Sequence, residues 1–229
     1  NQDLHALDDV DMLIIIPASG KLESEAQRLA DAHALYDGVR AVVVRADQIY
    51  NEFSSGTPDA TAYRLFAKHL YDKAVARREE ELSYLVMMGD CAFDNRMLSS
   101  AWRGSNPNDY LLCFESENSV SDTKSFVMED YFGLLDDGEG ASLVDDKSDL
   151  AIGRFPVTSA AEAKVMVDKT IDFLSNRYAG SWKNIISIMG DAGDNNSHLQ
   201  YTDDVAKRIQ TYNPEMEVQK VMWDRMMVI

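Results

Sequence analysis

Four places in this chain carry side chains that could do chemistry. The first is Asp191, which follows the apolar run Ile185-Ile186-Ser187-Ile188-Met189 and Gly190. A carboxylate at the end of a buried strand can accept an imidazole N–H and so orient a catalytic histidine. It can equally cap the helix that starts near Ser197, and on the residues alone the cap is the simpler reading. The second is a loop crowded with acids: Asp136, Asp137, Glu139, Asp145 and Asp146. Hard oxygens on a flexible loop suit Ca²⁺, with Asp136, Asp137 and Glu139 as candidate ligands. The EF-hand spacing is not met, and a solvated acidic loop is the simpler reading. The third is the cysteines, Cys91 and Cys113. They are too few for a disulfide framework; they could pair, but two buried thiols is the simpler reading. Cys91 follows a strand end and is the rival nucleophile within the chain. The fourth is the histidines. His5, His33, His69 and His198 show no zinc-ligand spacing, and His33 and His69 fall within helices. Glycine-rich phosphate loops and a Gly-x-Ser-x-Gly elbow are absent.

The elements that must position these groups alternate. Met12–Ile16, Ala41–Val44 and Tyr84–Met88 are continuous apolar runs, as expected of strands buried on both faces of a parallel sheet. Leu22, Ala26, Leu29, Ala30 and His33 mark one helix face; Ala62, Tyr63, Phe66, Leu70 and Ala74 mark another. Gln48–Asp59 reads as a loop with two aromatics. Tyr110–Phe114 reads as an edge or hairpin strand, and Ala151–Gly153 as a short strand. Ser159 and Glu162 have capping-box spacing, opening a helix whose stripe is Ala163, Val167, Ile171 and Leu174. After Ile185–Met189 come a helix marked by Tyr201, Val205, Ile209 and Tyr212, and a last strand, Val218–Trp223. The alternation predicts an α/β fold: a doubly wound, mostly parallel sheet with helices on both faces. Ligands of such sheets sit beyond the carboxyl ends of the strands, which places Gly89-Asp90 on the functional side.

The chain has 229 residues, 45% hydrophobic, and a net charge of −17. That charge argues against nucleic acid as a partner, since a polyanion needs a positive footprint. No apolar run approaches the ~18 residues of a membrane span, so membrane insertion is not expected. The polar start and the apolar Met226-Met227-Val228-Ile229 stop suggest a piece of a longer protein.

From Met12 onward the chain resembles the gingipain family of cysteine peptidases. The resemblance rests on Asp130-Tyr131-Phe132-Gly133, Ile152-Gly153-Arg154-Phe155 and Val167-Asp168-Lys169-Thr170-Ile171. Tyr50–Arg64, Glu117-Asn118-Ser119 and Gly133–Asp137 are similar to a subgroup, the outer-membrane sortases of type IX secretion. Those remove a C-terminal sorting domain from secreted cargo and attach the cargo to the cell surface. The resemblance implies a caspase-like, flavodoxin-like three-layer subdomain over residues 1–215, with 216–229 as the first strand of a second subdomain. In the family the catalytic His, in a His-Gly pair, and the nucleophilic Cys follow strands of that second half. This chain has no His-Gly pair and no Cys after residue 113, so it is expected to be inert by itself.

Two positions carry over. Asp191 matches the acid that orients the catalytic His. His198 falls where Arg-cleaving members carry the acid that selects a basic substrate side chain, so it is a substrate-binding candidate and trypsin-like Arg specificity is not expected. The resemblance implies no required cofactor. It implies polypeptide cargo with a C-terminal sorting domain as partner, type IX outer-membrane components as neighbours, and the outer surface of a Gram-negative bacterium as the location. The alternative is a non-catalytic α/β cell-surface binding or adhesion module.

Overall fold

The computed structural model describes residues 2–116, 125–142 and 145–223. The chain forms two compact units, Asn1–Ser175 and Asn176–Ile229. In the first, strands β1 (Met12–Ile16), β2 (Ala41–Arg45), β3 (Tyr84–Met88) and β4 (Ala151–Phe155) form one sheet, all pairs parallel, in the order β2-β1-β3-β4. The chain winds outward from β1 to β2, then returns to place β3 on the other side of β1. The order therefore reverses beside β1, and the crevice at that switch point opens beyond the carboxyl ends of β1 and β3.

The continuous apolar runs are explained by two cores. Leu13 and Ile15 of β1 point into one core, with Ile49 and Tyr50 of helix α2 (Ala46–Phe53) and Tyr63, Phe66 and Leu70 of helix α3 (Thr61–Arg77). Met12, Ile14 and Ile16 point into the other, with Ala26 and Leu29 of helix α1 (Glu23–Tyr36) and Ala163 and Val167 of helix α4 (Ala160–Leu174). Period-two alternation thus feeds opposite faces, and both must be apolar. Leu13, Ile14, Ile15 and Ile16 are fully buried, and each such side chain is worth roughly 1.5–3 kcal/mol.

The predicted α/β architecture with helices on both faces is what the structure shows. The capping box is present: Ser159 Oγ accepts from Glu162 N (3.3 Å), and Glu162 Oε2 accepts from Ser159 N (3.1 Å). Two local expectations are corrected. Residues 46–53, read partly as loop, are helix α2, because Ala46, Ile49, Tyr50 and Phe53 fall on one face and Gln48 accepts from Arg45 N at the helix start. Tyr110–Phe114 is not a ladder strand; Leu111 makes a single parallel bridge to Cys91. Its neighbours' amides go elsewhere, Leu112 N to the Tyr63 hydroxyl (3.4 Å) and Cys113 N to Asn95 Oδ1 (3.0 Å), so the ladder stops.

In the second unit, β5 (Ile185–Asp191) pairs in parallel with β6 (Glu217–Trp223), and helix α5 (Gly193–Tyr212) connects them. Thr202 and Ala206 of α5 are its buried residues. The motif Glu117-Asn118-Ser119 lies outside the described residues.

Candidate functional site

Asp191 is the last residue of β5, in register with Trp223. The chain then makes an unusual turn. Asp194, Asn195 and Asn196 take φ of 47°, 56° and 67°, three successive left-handed residues. Asp and Asn are the non-glycine residues that bear this conformation with least strain. The turn brings His198 back over the strand end, where its Nδ1 lies 2.6 Å from Asp191 Oδ1. Gly193 N also donates to Asp191 Oδ1, at 3.1 Å. His198 Nε2 lies 3.4 Å from Asp194 Oδ2.

Two causes hold the Asp191 carboxyl below its ordinary range, first the His198 hydrogen bond and then the Gly193 amide. The same pair raises the His198 imidazole, with Asp194 adding to it. An ionised carboxylate thus receives Nδ1–H from an imidazole, the arrangement that fixes a histidine tautomer. The amide that Asp191 satisfies is Gly193 N; among the described residues it does not cap the regular helix beginning near Ser197.

Gly190 is needed for the approach. A Cβ there would lie 2.5 Å from Thr202 Oγ1 and 3.1 Å from His198 O. The Asp191 and His198 side chains are 61% and 50% exposed, so both can meet another molecule or segment. Asp191, Ala192, Gly193 and Trp223 line a hollow of about 370 Å³. His198, the substrate-binding candidate, is held by Asp191 and remains half exposed. The sequence signal of this pair is the spacing from Asp191 to His198 across an Asp-Asn-Asn turn.

In the first unit the carboxyl edge of the sheet is tightly built. Gly89 lets Pro17, from beyond β1, and Leu111 close over the end of β3; a Cβ would sit 2.8 Å from Pro17 Cγ and 3.0 Å from Leu111 Cγ. Asp90 Oδ1 accepts from Cys91 N at 2.9 Å. Arg154, almost buried, grips Glu129 through Nε (2.7 Å) and Nη2 (3.1 Å) and donates Nη1 to Gly89 O (2.9 Å). Beyond this edge lies a cleft of about 880 Å³, lined among others by Ala18, Tyr50, Asp59, Phe93, Tyr110 and Cys113. The Tyr50 and Tyr63 hydroxyls hydrogen-bond beneath it. Burial pushes both phenols up, Tyr63 to about 12.

The acidic loop is tied to helix α3. Arg64 donates Nε to Leu134 O (2.7 Å) and Nη2 to Glu139 O (2.8 Å). Lys68 donates to Leu135 O (2.7 Å) and pairs with Asp137 (3.0 Å). Glu139 accepts from Asp136 N (3.2 Å) and Lys147 N (3.4 Å). The carboxylates of Asp137 and Glu139 are thus engaged with the protein, and no three acids of this loop converge among the described residues. The acids and imidazole that do converge are Asp3, His5 and Glu52. There the Glu52 carboxylate already accepts from Leu4 N (2.8 Å), Gln2 Nε2 (2.7 Å) and the His5 ring (2.8 Å).

The sequence model of peptidase family C25 matches residues 5–227. The fold is similar to the crystal structure of dimeric latent PorU from Porphyromonas gingivalis, with a TM-score of 0.71 and 40% identity over 80% of this chain. The chain spans 17% of the length of that PorU chain. No curated protein matches it. A match over nearly the whole length, together with a fold similar to that structure, places this chain in peptidase family C25, the gingipain family.

Proposed function

We propose that this chain is the N-terminal part of the catalytic unit of a secretion-linked cysteine peptidase or sortase, and that Asp191 orients its catalytic histidine. The observation that carries this reading is Asp191 itself. It is an exposed carboxylate at the carboxyl end of a parallel strand, holding one imidazole by Nδ1 at 2.6 Å beside a hollow of about 370 Å³. The second imidazole and the thiolate would come from sequence that follows the first strand of the next subdomain. The thiolate attacks a peptide carbonyl, and the acyl group passes to water or an amine. The substrate would be secreted cargo bearing a C-terminal sorting domain, processed at the outer surface of a Gram-negative cell among type IX secretion components. No helix among the described residues is long and apolar enough to cross a membrane.

Residues 1–229 should cleave no member of a peptide library, with or without reductant, and Cys91→Ala should change nothing. The parent protein should show thiol-dependent cleavage. Turnover by residues 1–229 that is lost in Cys91→Ala would overturn the reading. The cleft of the first unit favours the rival, a non-catalytic binding module; a parent with no thiol-dependent turnover would decide for it. Ca²⁺ binding at Asp136, Asp137 and Glu139 stands as a separate proposal in competition with the Lys68 and amide contacts. Millimolar Ca²⁺ should then raise the melting temperature, and no shift up to about 10 mM removes it.

A further inference from the structure

The two oxygens of the Asp191 carboxylate are used unequally. The hydrogen bonds it accepts from other described residues both end on Oδ1, from His198 Nδ1 at 2.6 Å and from Gly193 N at 3.1 Å. None of the described residues donates to Oδ2, and the side chain is mostly exposed. A carboxylate turns easily about its Cβ–Cγ bond, because that torsion is broad. Two donors on one oxygen restrain the turn and leave the other oxygen in a fixed direction.

The imidazole that supplies the stronger restraint is itself fixed. Thr202, buried on α5, donates Oγ1 to His198 O at 2.6 Å. Gly193 leaves room for the ring: a Cβ there would lie 3.0 Å from His198 Nδ1 and 3.1 Å from its Cε1. The far ring nitrogen, Nε2, lies 3.4 Å from Asp194 Oδ2. Asp194 is tied in turn, its carbonyl accepting from Ser197 Oγ at 2.6 Å. An imidazolium has two N–H donors, and here both face carboxylates of the protein: Asp191 at the strand end and Asp194 in the turn. They are engaged before any substrate arrives.

We propose, on the basis that Asp191 orients the catalytic imidazole, that His198 is a positioning residue for the peptidase reaction: it fixes Asp191 through Oδ1 and so presents Oδ2 to that imidazole. His198 keeps its own N–H on Oδ1, and the catalytic imidazole donates to Oδ2. Asp191 stays ionised throughout, as an orienting acid does. Without His198, Oδ1 keeps only the Gly193 amide, and the carboxylate swings out of line.

The test uses the full-length protein and the library peptide that it turns over fastest. His198→Phe fills the space without a donor, and His198→Asn places an amide N–H near the position of Nδ1. Each is measured alone and in the Asp191→Asn background. His198→Phe should lower kcat on the order of 10-fold with KM nearly unchanged, since a displaced catalytic group loses rate steeply. His198→Asn should recover most of that kcat. In Asp191→Asn, His198→Phe should cost little further, because residues that act as one unit are not additive. Melting temperatures identify a variant that does not fold, and His198→Ala then takes the place of His198→Phe. A normal kcat in His198→Phe, a raised KM with kcat intact, or the full loss in both backgrounds would overturn the proposal and leave the role of Asp191 standing. A near-normal kcat in Asp191→Asn alone would overturn the role of Asp191, and the proposal with it.

Discussion

The two units solve the problem of burying a parallel sheet differently. In Asn1–Ser175 four strands are covered on both faces, and alternate residues of β1 feed two separate cores. In Asn176–Ile229 a two-stranded sheet carries one helix, and Met189, Val221 and Trp223 remain 74%, 45% and 72% exposed. Two strands and one helix bury little. The acid with the best claim to chemistry is on this less buried unit. Sites that must receive further groups are drawn from regions of lower local stability. The first unit is packed on both sheet faces; the second leaves the Asp191 carboxylate exposed.

The largest expected difference between the units is in stability. Phe66→Ala removes a fully buried ring from the first unit's core and should cost about 3–5 kcal/mol in chemical denaturation. Ile188→Ala in half-buried β5 should cost under ~2 kcal/mol. Equal costs would mean that the two sheets are equally well packed.

Gly190→Ala comes next. Its added methyl meets Thr202 Oγ1 and His198 O, so it should destabilise by about 1–3 kcal/mol and move His198 off Asp191, seen as a change in the histidine ring resonances. Ser159→Ala, which deletes the side-chain cap of α4, should cost about 1 kcal/mol. A loss within experimental error would mean the Glu162 half of the box suffices.

The smallest effect is a pH effect. His198 gains its partner in the folded state, so its pKa is raised above 6.5. The stability it contributes is fully present below 6.5 and is lost as pH rises through the raised value. The pair is exposed, so the NMR titration midpoint is the measurement: above 6.5 in the wild type, and lower in Asp191→Asn. A midpoint unchanged by the substitution would mean that the pair does not persist in solution.

Much of the fold was legible because burial on two faces writes itself as unbroken apolar runs, as in Leu13-Ile14-Ile15-Ile16. The Ser159–Glu162 box was legible because both partners are close in sequence. Helix α2 was missed because eight residues give little period to read and its first cap is Arg45 rather than Ser or Thr. Tyr110–Phe114 misled because its composition is strand-like, while Tyr63 and Asn95 take the amides a ladder would use. At the site, strand position and the family resemblance pointed to Asp191. The His198 partnership was not legible, since it depends on three left-handed residues. The clamp of Arg154 on Glu129 and Gly89 was hidden likewise, being long-range.

The central claim is that Asp191 serves an imidazole that does chemistry. Asp191→Asn in the full-length protein keeps size and removes charge. The account predicts a fall in kcat on the order of 10²-fold or more, as for other acids that orient a catalytic histidine, with the melting temperature nearly unchanged. If Asp191 only satisfies the Gly193 amide, Asn should substitute well, since Asn and Asp accept such bonds about equally. A near-normal kcat in Asp191→Asn would contradict the claim.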